Sequence, residues 1–120
     1  MFSSKDQPEP KIEPYYKIGL SGIKDQYKIG EELKFSLFLE GYGSDCGSYE
    51  VKIIKDEKQI EGRSINIECT EEVAGDFNNI NIDITTLTLM LSEPGRYTIT
   101  GEFSNKNGEK FQDKKTIDVS

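Results

Sequence analysis

Apolar side chains recur at every second position through the stretch YKIGEELKFSLFLEG: Leu33, Phe35, Leu37 and Leu39 share one parity, Lys34 and Ser36 the other. A period of two sends successive side chains to opposite faces of a strand, so this segment is predicted to be a strand with one buried face. Phe38 is an extra apolar residue on its outer side. The segment is bounded by Gly30 before and by a glycine loop, 41–47, after. The same alternation predicts a strand at 15–22, with Ile18 and Leu20 inward. It predicts a hairpin with Tyr49, Val51 and Ile53 in one arm, Ile65 and Ile67 in the other, and the polar turn KDEK between. Two closing strands, RYTITGEF and EKFQDKKTIDVS, are joined by a turn whose hairpin signal is Asn107-Gly108.

One segment breaks the alternation. Ile80, Ile82 and Ile84 lie on one parity, whereas Leu87, Leu89 and Leu91 lie on the other. The change of phase around Thr85 and Thr86 predicts a β-bulge or a strand that changes sheets. Residues 70–79 read as a polar connection. Residues 1–14 hold three of the four prolines among Lys, Asp, Glu, Ser and Gln, and are predicted to be a flexible N-terminal tether to a single domain, 15–120. Seven or eight short strands and no credible helix predict an all-β fold, an antiparallel two-sheet β-sandwich.

Composition sharpens this picture. Ile occurs fourteen times and Ala once, which favours pleated sheet over helix. The net charge of −7 repels polyanions at long range, so nucleic acid and anionic membranes are poor partners and no nucleic acid is expected. No apolar run approaches the roughly 18 residues needed to span a bilayer, and no membrane insertion of this segment is expected. The chain has no histidine, which removes the commonest general base and the commonest transition-metal ligand together. No enzymatic role, metal or cofactor is expected.

YKIGEELKFSLFL resembles the Y-x-x-G-E-x-apolar-x-apolar opening of the second strand in many immunoglobulin-like and fibronectin-type surface modules. EPGRYTITGEF is similar to their P-G-x-Y-x-apolar strand near the C-terminus. The resemblance implies an immunoglobulin-like sandwich of a prokaryotic, for instance archaeal, surface protein, and no particular activity. It also implies that Tyr97 is the tyrosine of the corner preceding the penultimate strand. The cysteine that follows that tyrosine by two residues in antibody-type domains is replaced here by Ile99, so the antibody inter-sheet disulfide is absent.

Cys46 and Cys69 must therefore be something else. With Glu57-Lys58 as a two-residue turn, Cys46 falls opposite Cys69 across the hairpin. A one-residue bulge near Gly62 would bring the isoleucines into phase and shift Cys46 by one position, still within bridging reach. A disulfide is the expectation, worth about 3 kcal/mol for such a loop, and it points to an extracytoplasmic location. Two free cysteines in the core of a cytosolic domain are the alternative. The loop around Cys46, with Tyr42, Ser44, Asp45 and Tyr49, is the candidate contact surface for a protein or cell-surface component, and Tyr42 is expected to be its most exposed member because glycines flank it. The functional expectation is a non-catalytic binding or accessory module. Its alternatives are a structural subunit self-assembling through edge strands, a homo-oligomer, or a small protease-inhibitor-like sandwich. Asp76, Asn78, Asn79, Asn81 and Asp83 offer oxygen ligands for calcium, but without the spacing of a known loop; a polar turn feeding a strand is the plainer reading.

Overall fold

The computed structural model describes residues 13–69 and 78–120. All of the predicted tether except Glu13 and Pro14 lies outside these residues, as do 70–77 of the polar connection. Eight strands form among the described residues: β1 (Tyr15–Ser21), β2 (Gln26–Tyr27), β3 (Glu32–Gly43), β4 (Gly47–Lys55), β5 (Lys58–Ile67), β6 (Asn78–Met90), β7 (Gly95–Asn105) and β8 (Lys110–Val119). They make a three-stranded sheet, β1-β3-β6, and a five-stranded sheet, β2-β8-β7-β4-β5.

The alternation read in the sequence decides which side of each sheet is buried. Leu33, Phe35, Leu37 and Leu39 of β3 point inward with Ile18 and Leu20 of β1. They pack against Tyr49, Val51 and Ile53 of β4, Ile99 and Phe103 of β7, and Ile117 of β8. This is the interleaving of two inner faces that makes a sandwich-like core. Each flank of the two-layer stack carries a polar contact between the sheets. On one side the Leu20 amide donates to Asp113 Oδ2 at 3.0 Å. On the other, Arg63 Nη1 donates to Thr85 Oγ1 at 2.7 Å and to the Thr86 carbonyl at 3.0 Å.

The phase change in β6 is a bulge. Leu37 pairs with Thr85 but Phe38 pairs with Asp83, leaving Ile84 as the extra residue. Below the bulge Ile80 and Ile82 share the inward parity, and above it Leu87 and Leu89 do.

Three expectations are corrected. The sandwich is not wholly antiparallel, because β2 pairs in parallel with β8, Tyr27 opposite Val119. Residues 22–31 cross to the second sheet and return, held there by Ile29 N–H to the Ser120 carbonyl and Ser120 N–H to the Tyr27 carbonyl. The β4–β5 turn is Asp56-Glu57, one residue earlier than predicted, with φ of +52° and +67°. Both central residues of a primed two-residue turn need positive φ. The bulge that restores the phase falls at Ile60, since Ile53 pairs with Glu61 and Ile54 with Gln59. Finally, the loop expected over 41–47 is shorter. β3 runs to Gly43 and β4 starts at Gly47, so only 44–46 connect them.

Candidate functional site

The short 44–46 corner is braced from several directions. Its entry and exit are glycines with φ of +149° at Gly43 and +142° at Gly47. Neither position has room for a side chain: a Cβ would lie 2.3 Å from Tyr16 Oη at Gly43 and 2.2 Å from the Ser104 carbonyl at Gly47. Inside the corner the Ser44 amide donates to Tyr16 Oη at 3.3 Å, the Cys46 amide donates to Ser44 Oγ at 3.3 Å, and the Tyr49 hydroxyl donates to the Asp45 carbonyl.

The two tyrosines belong to an aromatic cluster beneath the corner. Tyr49 stacks on Phe103 with centroids 4.6 Å apart, and Tyr16 meets Phe103 edge-on at 5.4 Å. Burial pushes the Tyr49 hydroxyl well above the usual tyrosine pKa, and the neighbouring Asp45 and Tyr16 add to the shift. Tyr49 is therefore a neutral donor.

The predicted cysteine pair is joined. Cys46 and Cys69 form a disulfide with Cα atoms 5.1 Å apart. Gly47 pairs with Ile67, so the bridge spans the ladder one position out of register, as the bulge requires. The bond ties the corner to the end of β5. The β7–β8 turn stands beside it, ordered by Asn105, whose Oδ1 accepts from the amides of Asn107 and Glu109. Two hollows open here: about 240 Å³ beside Asp45, Asn79 and Ile82, and about 380 Å³ between Pro14, Cys46 and Asn107.

Of the predicted contact residues, Tyr49 and Ser44 are corrected. Tyr49 is 1% exposed because it faces the core, and Ser44 is buried because its side chain turns back to cap the Cys46 amide. Tyr42 is half-buried within β3, paired with Tyr15 and Asn79, rather than displayed on a loop. Asp45 stays partly accessible. Tyr16, one of four tyrosines (with Tyr15, Tyr42 and Tyr49) that the sequence offers as an aromatic contact patch, lies under this corner. Sequence reasoning missed Asn105 and the part played by Asn107, because the Asn-Gly turn was visible but its closeness to Cys46 depends on how the strands pair.

The calcium candidates are spread along β6. Asn79, Asn81 and Asp83 occupy successive outward positions, roughly 7 Å apart along an extended strand, too far to converge on one ion. Asp76 lies outside the described residues. No group of three or more His, Cys, Asp or Glu side chains among the described residues is placed to hold a metal ion. No helix among them is long and apolar enough to cross a membrane.

No protein-family model matches the chain, and no curated protein does. Solved structures similar in fold include the following two. One is Spo0M, a sporulation control protein from Bacillus subtilis, at 19% identity and TM-score 0.50, covering 88% of this chain and 49% of that one. The other is an engineered protein at 10% identity and TM-score 0.51, covering 90% of this chain and 20% of that one. The chain thus spans about half of the first and a fifth of the second. At such identities the likeness concerns the fold alone.

Proposed function

We propose that the domain is a non-catalytic, immunoglobulin-like binding or accessory module of a secreted or cell-surface protein, and that it meets its protein or surface partner at the disulfide-clamped end. The observation that carries this reading is the clamp. A disulfide, two tyrosine hydroxyls and two glycines hold a three-residue corner beside a second ordered turn. Such rigidity is costly to assemble unless the surface it fixes is used, since ordering a contact loop in advance lowers the entropy lost on binding.

The immunoglobulin-like part is supported by strand order. β1-β3-β6 and β8-β7-β4-β5 correspond to A-B-E and G-F-C-C′ of such modules. It is supported too by Tyr97 at the start of β7, whose hydroxyl donates to the Glu93 carbonyl four residues upstream at 2.7 Å. This is the bond of a tyrosine corner. The extracytoplasmic part rests on the disulfide, which persists in oxidising compartments.

Two measurements test the reading. Protein purified under native conditions and alkylated while denatured should label at Cys46 and Cys69 only after reduction; labelling beforehand would remove the argument for export. A photo-crosslinker at Asp45, presented to the envelope fraction of the source cells, should give a discrete adduct that the same probe at Lys28, at the opposite end, does not. Equal adducts from both positions, or none, would end the proposal for this surface.

A further inference from the structure

The outward side of the three-stranded sheet carries aromatic rings among its charged and amide side chains. Cross-strand register arranges it in rows: Tyr15, Tyr42 and Asn79; then Lys17, Glu40 and Asn81; then Gly19, Phe38 and Asp83. Phe38 occupies the space above Gly19, where an added Cβ would stand 2.2 Å from its Cζ and 2.5 and 2.9 Å from Cε1 and Cε2. Such closeness to three consecutive ring atoms means that the ring lies across the glycine, one face on the sheet and the other toward solvent. Gly19 is buried beneath it while Phe38 stays partly exposed. Tyr15, two rows away, is 60% exposed. Alongside the rings, Asn79, Asn81 and Asp83 form an exposed column, and a shallow hollow opens between Tyr15, Lys17, Glu40 and Asn81.

We infer that this face binds a neutral glycan chain, with sugar rings on Phe38 and Tyr15 and hydroxyl groups bonded to Glu40, Asn81 and Asp83. A pyranose has the matching division: one face of C–H groups, which the negative face of an aromatic ring attracts, and a rim of hydroxyls. Amide and carboxylate side chains supply acceptors, and Asn81 a donor as well, beside the platforms. Charge selects among glycans, because a domain of net charge −7, with Glu40 and Asp83 outnumbering Lys17 in these rows, repels uronate and phosphate polymers. A protein partner is the poorer fit, since protein interfaces deplete charge at their centre and here Lys17 and Glu40 hold the middle row. Shielding of a strand glycine by an aromatic ring is a stabilising device in its own right. That accounts for Phe38 but not for the exposed Tyr15 or for the amide column beside it.

The inference rests on the reading of the domain as a binding module, and the two fail separately. The test is a nitrogen-15 NMR titration of the whole chain with cellohexaose, chitohexaose, mannohexaose and xylohexaose, with polygalacturonate as the charged control. At least one neutral hexaose should give saturable shifts at Tyr15, Phe38, Asn81 and Asp83, and polygalacturonate none. Asn81→Ala, an exposed change that leaves the fold intact, should weaken that binding about threefold, and Phe38→Leu roughly three- to tenfold. Absence of shifts with every neutral hexaose up to about 10 mM overturns the inference, as do shifts confined to other surfaces or equal binding of polygalacturonate. If the Asp45 crosslink survives that failure, the module reading stands without the glycan.

Discussion

At the scale of single residues, Tyr49 shows why a side chain's type does not reveal its task. Tyrosine in a glycine-rich stretch reads as a contact residue, yet its parity with Val51 and Ile53 turns it inward, and its hydroxyl donates to the Asp45 carbonyl. Tyr49→Phe should therefore cost about 1 kcal/mol in urea unfolding at neutral pH, the net worth of one buried hydrogen bond. The pH dependence has a definite sign. The folded-state pKa lies above the unfolded value near 10, so the unfolded chain releases its proton first. Stability is intact below about pH 10 and falls as pH rises above it. Wild-type protein should lose stability across that alkaline range more steeply than Tyr49→Phe; parallel curves from the two proteins would contradict this account.

At the scale of elements, the alternating strands were legible because one face of each is buried, which ties pattern to geometry. The phase change in β6 was legible for the same reason, and its bulge falls at Ile84, next to the threonines that marked it. Deleting Ile84 should leave thermal unfolding cooperative, because without the extra residue Asp83 and Thr85 follow in strict alternation and Ile82, Leu87 and Leu89 keep their inward places. Loss of the cooperative transition would contradict the bulge, and Ile84→Ala, which keeps the count, should cost about 1–2 kcal/mol. What was not legible has equally local causes. β2 is two residues long and carries no periodicity, and its parallel pairing with β8 depends on residues 92 positions away, Gln26 opposite Asp118. The Asp56-Glu57 turn lacks the glycine that usually marks positive φ. The two long edges also bear on assembly. β5 has a bulge at Ile60 and turns Glu61 and Arg63 inward, and β6 has its own bulge, both of which obstruct strand addition. Light scattering of concentrated protein should give a monomer mass. A growing mass would favour the edge-assembly alternative over the proposed module.

At the scale of the whole molecule, the disulfide pairing could be read from hairpin arithmetic, but the shared site could not. The corner, the Asn105 turn and Pro14 meet only once β7 is laid beside β4. The double variant Cys46→Ser/Cys69→Ser should lose about 3 kcal/mol, a fall in Tm of roughly 10–15 °C by calorimetry. A smaller loss would mean that the tyrosine bonds alone hold the corner. The two sulfurs of this bond are unequally placed, Cys46 being 1% exposed and Cys69 lying at the surface. An incoming thiolate reaches Cys69 first, and the sulfur it must expel is then the buried one. A leaving group that has to depart as an anion from a buried position departs slowly, since charge is poorly solvated there. The bond therefore resists exchange kinetically while the fold is intact, and its lifetime in a reducing medium becomes a clock for how often the end of the sandwich opens.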